Sequence, residues 1–163
     1  MAEKTEDQPQ RQFQLQRIYL KDMSFESPNA PSIFTGEWQP QHELNINTKV
    51  NKLGEATYEI VLSLTVTAKT GEKTAFIVEV QQAGVVGVKG FPEAELGPLL
   101  GAYCPNLLFP YAREVITDLV TKGSFPQLVL QPVNFDALFA QHRQQMAEQA
   151  EQAKQDEGGS TAH

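Results

Sequence analysis

The stretch Thr57-Tyr-Glu-Ile-Val-Leu-Ser-Leu-Thr-Val-Thr-Ala-Lys-Thr-Gly-Glu-Lys-Thr-Ala-Phe-Ile-Val-Glu-Val-Gln-Gln82 sets the fold class. Side chains alternate across a strand with a period of two. Tyr58, Ile60, Leu62, Leu64 and Val66 therefore share one face, and Glu59, Ser63, Thr65 and Thr67 lie on the other. Thr70-Gly71-Glu72 has the composition of a tight hairpin turn. Beyond it the alternation resumes, with Phe76, Val78 and Val80 on one side and Ile77, Glu79 and Gln81 opposite. Two strands are predicted, Thr57–Lys69 and Thr74–Gln82, with the glycines of Gly84-Val-Val-Gly-Val-Lys-Gly90 releasing the chain from the second.

Upstream, Phe13 and Leu15 are out of phase with Ile18 and Leu20, which predicts a strand with a bulge near Arg17. A proline-rich loop over Ser27–Gln41 carries Ile33, Phe34 and Trp38, and Leu44, Ile46 and Val50 mark a further strand that turns at Gly54. Downstream, helices follow. Tyr103-Cys-Pro-Asn-Leu-Leu-Phe-Pro-Tyr-Ala-Arg113 is apolar, but its two prolines argue against a plain helix and for a rigid lead into one. Ala112, Val115, Ile116, Leu119 and Val120 have helical spacing, and Gly123 supplies the stop. Asn134 is placed to cap a last helix whose apolar stripe is Phe135, Leu138, Phe139, His142 and Met146; beyond Met146 that helix should fray. Strands first and helices second predict an α+β fold, a four-stranded antiparallel sheet with helices packed on one face. The folded domain should span residues 12–149, between disordered tails at 1–11 and 150–163.

A formal net charge of −7 argues against nucleic acid as a partner, since phosphate binding needs clustered Lys and Arg. A single cysteine, no membrane-length apolar run and a polar N-terminus suit a soluble cytoplasmic protein that does not insert into membranes. Chemistry is hard to find. Cys104 has no evident partner among His42, His142 and His163, no metal-ligand spacing exists, and the Gly84–Gly90 run lacks the arrangement of a phosphate loop. No carboxylate has the apolar neighbours that raise a pKa. An enzyme, a metal and a cofactor are therefore not expected. What the chain does have is an excess of large apolar residues over what one sheet and two helices need. The excess fits a subunit interface, or a surface left open to extended apolar polypeptide.

Several long runs resemble the SecB family of bacterial protein-export chaperones. They are Gln16-Arg-Ile-Tyr-Leu-Lys-Asp-Met-Ser-Phe-Glu-Ser-Pro-Asn-Ala-Pro31, Glu79-Val-Gln-Gln-Ala-Gly84, Leu100-Gly-Ala-Tyr-Cys-Pro-Asn-Leu-Leu-Phe-Pro-Tyr-Ala-Arg-Glu114, Phe125-Pro-Gln-Leu128 and Pro132-Val-Asn-Phe-Asp-Ala-Leu-Phe139. The resemblance covers most of residues 12–142. It implies an ATP-independent holdase that keeps secretory precursors unfolded and passes them to the SecA motor. It also implies a homotetramer built as a dimer of dimers. The family's SecA contact maps onto Asp22, Glu26, Ile77 and Glu79, an acidic patch suited to the small basic zinc-binding tail of SecA, where the metal belongs to the partner. Phe25, Ile33, Phe34, Trp38, Leu44 and Ile46 are the expected client groove. Phe76, Val78, Val80 and Gln82 are expected in tetramer assembly, together with Tyr103, Cys104 and Tyr111. The alternative is a general or toxin–antitoxin-linked SecB-like chaperone without SecA.

Overall fold

The computed structural model describes residues 10–158, with side chains described as far as residue 156. Most of the expected N-terminal tail and the last residues of the expected C-terminal tail lie outside that range. Four strands come first: β1 (Gln12–Glu26), β2 (Pro40–Lys52), β3 (Thr57–Thr70) and β4 (Lys73–Lys89). They form one antiparallel sheet in the order β1-β4-β3-β2. Three helices follow: α1 (Glu93–Pro98), α2 (Cys104–Lys122) and α3 (Phe135–Gly158). A π-helical turn, Leu99–Tyr103, joins α1 to α2.

The alternation read from the sequence becomes the two faces of this sheet. Ile60, Leu62, Leu64 and Val66 of β3 pair with Gly84, Gln82, Val80 and Val78 of β4. This inner face is almost wholly buried beneath Leu108, Ala112, Ile116 and Val120 of α2. Among the described residues no helix covers the outer face.

Three local expectations are corrected. The glycine run does not release the chain: β4 continues through Gly84 and Gly87 to Lys89, paired on both sides as far as Gly87. Gly84 is a point of close approach between helix and sheet, because a Cβ there would lie 3.1 Å from Leu108 Cδ2 and 3.3 Å from the Arg17 carbonyl oxygen. The Tyr103–Arg113 stretch is helical throughout rather than a lead into a helix. Pro105 is the second residue of α2, directly after the π-helical turn, where the backbone bonding changes from the π to the α pattern. Pro110 lies inside α2, but the carbonyl it leaves unpaired is that of Asn106, and both residues are on the exposed side where water can serve it. Finally, α3 continues to Gly158, past the boundary expected at 149. Its later turns are rich in the helix formers Ala, Glu, Gln and Lys, yet every residue from Gln141 to Asp156 is exposed.

The expected stops hold. Gly123 ends α2, its N–H bonding the Leu119 carbonyl at 2.9 Å, although the left-handed backbone falls on Ser124 (φ 67°). Asn134 caps α3, its Oδ1 accepting from the Ala137 N–H at 3.0 Å. Between them, Thr117 Oγ1 donates to the Leu128 carbonyl at 2.6 Å and straps the extended segment to α2.

A branched side chain at position 84 has nowhere to go between sheet and helix. Gly84→Val should destabilise the fold by about 1–3 kcal/mol, read as a lowered urea midpoint. An unchanged midpoint would show that α2 does not rest on β4 at this point.

Candidate functional site: two faces of one sheet

The outer face carries charge, sorted by strand register. Glu26 pairs with Ile77, Ser24 with Glu79 and Asp22 with Gln81. Since Ile77 pairs with Thr67 and Thr67 with Glu43, one row across the sheet reads Glu26, Ile77, Thr67, Glu43. Asp22, Glu26, Ile77 and Glu79 are thus brought together, spanning about 13 Å along β1 at roughly 3.3 Å per residue. Ile77 and Glu79 are half-buried, and Asp22 and Glu26 are exposed. Glu43 is an addition that sequence reasoning missed. The alternation of Leu44 and Ile46 places it outward, but only the pairing register brings it into line with Ile77. Lys69 lies one row further toward the β3–β4 turn.

Toward the other end of the same face a carboxylate is buried. Glu59 on β3 is 8 % exposed. It accepts hydrogen bonds from Tyr19 Oη, from Lys21 Nζ at 3.0 Å and from Asn51 Nδ2 at 2.9 Å. These partners hold its pKa at about 2, with the Tyr19 hydrogen bond the largest cause, then those from Asn51 and Lys21. The same hydrogen bond, with burial and the nearby carboxylate charge, pushes the Tyr19 phenol up to about 12. Residue order holds no hint of a carboxylate held this low, because its donors come from two other strands.

The inner face opens where α2 does not reach. At one end is an aromatic cluster around Phe125, whose ring centroid lies 5.0 Å from Phe76, 5.2 Å from Phe34, 5.4 Å from Trp38 and 6.4 Å from Phe25. Phe34 is 47 % exposed, whereas Ile33 is buried. Asn29 Nδ2 and Ser27 Oγ donate to the Thr74 and Ala75 carbonyls, at 2.9 and 3.0 Å, and tie this loop to β4. The expected groove residues Phe25, Ile33, Phe34 and Trp38 converge here, and Phe125, which joins them, was not singled out from sequence. Leu44 and Ile46 lie apart from the cluster, along the half-buried inner side of edge strand β2. Ile46 lines a separate cleft of about 450 Å³ with Val50, Phe135, Leu138, Phe139 and His142. Gly101, in the π-helical turn, admits the Phe139 ring; a Cβ there would lie 2.6 Å from Phe139 Cδ2.

The residues expected in assembly divide into two groups. Phe76, Val78, Val80 and Gln82 are buried within the single chain, beneath α2 and the aromatic cluster, and Cys104 is buried at the start of α2. They form the protomer's own core and present no free surface. Tyr103 and Tyr111 are 49 % and 50 % exposed, and Tyr103 packs edge-on to Phe13. Burial pushes the Cys104 thiol up to about 12, which leaves it protonated and unreactive at neutral pH. Among the described residues no cluster of His, Cys, Asp and Glu could hold a metal ion, and no helix is long and apolar enough to cross a membrane.

Glu59 makes stability depend on pH. Its carboxyl sits at about 2 in the folded chain against an ordinary 4.5, so its contribution is complete above about pH 4.5 and is lost as pH falls toward 2. Glu59→Gln should lower stability at pH 7 by about 1–3 kcal/mol and flatten the acid limb of the stability curve. Urea midpoints at several pH values check this, and parallel limbs for the two proteins would contradict it.

Comparison with known proteins places this architecture. The family model described as SecB, preprotein translocase subunit SecB, matches residues 6–146. A protein-export protein SecB from Methylococcus capsulatus is 55 % identical over 146 residues, covering 90 % of this chain and 94 % of its own. One from Marinobacter nauticus is 59 % identical over 145 residues, 89 % and 88 % of the two chains. Among solved structures, the Mycobacterium tuberculosis SecB-like chaperone Rv1957, in complex with a ChAD peptide from the HigA1 antitoxin, superposes with a TM-score of 0.62 at 18 % identity. That match covers 74 % of this chain and 90 % of the other, and it shows the shared fold. With the sheet order, the family match and relatives more than half identical agreeing over most of its length, this chain belongs to the SecB family of protein-export chaperones.

Proposed function

We propose that the chain is an ATP-independent cytoplasmic holdase, without enzymatic activity or cofactor. It binds unfolded secretory precursors on the inner face of its sheet and delivers them to SecA through the outer face. The observation that carries this reading is the division of one sheet into an apolar track and an acidic patch. Leu44, Ile46 and Val50 lie along the inner side of edge strand β2, between the aromatic cluster and the cleft under α3. From Leu44 to Val50 the track runs about 20 Å, enough for roughly six residues of extended client. Apart from Thr48, its contacts are apolar and shape-tolerant, as recognition of many unrelated precursors requires. On the other side, Asp22, Glu26 and Glu79 surround Ile77, and a basic, zinc-bound SecA tail complements such a patch. That acidic set favours the export reading over a SecB-like chaperone with no SecA partner.

Glu79→Lys puts a cation in the middle of the patch without touching the core. It should abolish binding of the zinc-loaded SecA tail, measured by calorimetry, while the assembly keeps its mass in light scattering. Unchanged affinity would sink the docking assignment.

Exposed surface and affinity both support assembly into a homotetramer, a dimer of dimers. Leu15, Leu20 and Met23 on the inner side of edge strand β1 are 38 %, 41 % and 50 % exposed, alongside exposed Tyr103 and Tyr111. Further copies of the chain would cover them. Affinity points the same way. A client segment burying roughly 400 Å² of apolar surface gains about 10 kcal/mol gross. Ordering about ten residues costs a similar amount at ~1–2 kcal/mol each. One groove alone therefore holds weakly, and several on one particle raise the effective concentration after first contact. Tyr103→Asp should dissociate the particle. It should then weaken binding of a long unfolded precursor far more than that of a short apolar peptide, and equal losses for both would contradict multivalent holding.

A further inference from the structure

The second irregularity in β1 decides which face its acidic residues occupy. Along β1, Ile18 and Leu20 point inward, opposite Gly84 and Gln82, and Tyr19 points outward, opposite Ala83. Strict alternation would then send Asp22 inward. Instead the register shifts between Leu20 and Asp22, Lys21 is the extra residue, and Asp22, Ser24 and Glu26 emerge on the outer face. The same shift turns Phe25 inward, opposite Val78, where it joins the aromatic cluster.

A bulge on an edge strand needs something to hold it. Most β1 side chains are exposed, and only Phe13, Ile18, Tyr19 and Phe25 are even half-buried. What grips the strand beside the bulge is Glu59. Tyr19, just before the bulge, and Lys21, the bulged residue itself, both reach across β4 to the Glu59 carboxylate on β3, which Asn51 holds from β2. Ala83 lies opposite Tyr19 on β4, and its small side chain leaves room for the crossing. Ala83 and Val61 are 0 % and 6 % exposed, although no helix covers this face. The network links β1, β2 and β3 over the top of β4.

We infer that Glu59 is a positioning residue for the acidic docking patch. By gripping Tyr19 and Lys21 it locks the β1 bulge that turns Asp22 and Glu26 toward the partner. Glu59 itself is buried and lies outside the patch, so it acts through those residues rather than by contact. This rests on the outer face being the docking surface, and the test separates the two.

Hydrogen exchange read by mass spectrometry on the full-length assembly tests the lock directly. Glu59→Gln should speed exchange of amides in residues 20–26 by about tenfold more than that of residues 60–66 and 76–82, which follow only the global loss of stability. Should that variant fold poorly, Tyr19→Phe removes one hydrogen bond and should speed the same segment by a smaller factor. No change in residues 20–26 in either variant, or a uniform rise across all four strands, would overturn the inference. A double-mutant cycle with the zinc-loaded SecA tail peptide reads the consequence. Asp22→Ala should weaken binding in the wild-type background but by less than about twofold in the Glu59→Gln background. Equal losses in both backgrounds would also overturn it. Should the wild-type assembly not bind the peptide at all, the docking reading fails, and the exchange result alone decides whether Glu59 holds the bulge.

Discussion

The pairing of β1 with β4, with its two bulges, is the constraint on which both surfaces of this protein depend. A strand alternates strictly, so each extra residue exchanges the faces of everything beyond it. β1 makes that exchange twice, after Leu15 and after Leu20. The outcome is that Phe25 contributes to an aromatic cluster while its neighbour Glu26 stands beside Ile77 on the opposite face. A five-residue segment of one edge strand thus serves two surfaces of contrary chemistry. Neither surface would be complete if the strand paired without its bulges.

Beneath these surfaces the sheet is held flat against α2 by close approach. Gly84 lets Leu108 near the β4 backbone, Gly123 admits the Phe25 ring at the end of α2, and Gly101 admits Phe139 where α3 crosses. Because α2 packs chiefly on β4 and β3, the inner side of β2 stays only half-covered, and the apolar track follows from this offset. The burial of Phe76, Val78 and Val80 in the protomer's own core also changes how such positions act. A substitution there acts on the fold of the chain itself, whereas Tyr103 and Tyr111 stand half-exposed on its surface.

Much of the fold was legible in residue order. The period of two in Thr57–Gln82, the broken phase near Arg17, the stop at Gly123 and the cap at Asn134 all have local causes and were all read correctly. What escaped depends on residues distant in the chain. Gly84 looks like a strand end until Leu108 packs over it. Pro110 looks like a helix breaker until the orphaned carbonyl of Asn106 proves to be on the exposed side. The bulge at Lys21 does leave a local trace, the three-residue step from Leu20 to Met23, which sequence reasoning passed over, whereas Glu59 looks like an ordinary outward carboxylate until Tyr19, Lys21 and Asn51 close on it. The patch residues Asp22, Glu26, Ile77 and Glu79 were named from the family's runs, but their grouping in adjacent rows, with Glu43 beside them, emerges only from register.

The central claim is that client and motor engage opposite faces of one sheet, and isoleucine methyl NMR tests it most directly. Ile77 lies on the outer face, Ile33 beside the aromatic cluster and Ile46 on the inner side of β2. Titration with an unfolded secretory precursor should shift the Ile33 and Ile46 methyls and leave Ile77 in place. The zinc-loaded SecA tail should shift Ile77 and spare the other two. Coincident shifts of all three methyls with either ligand would contradict the account.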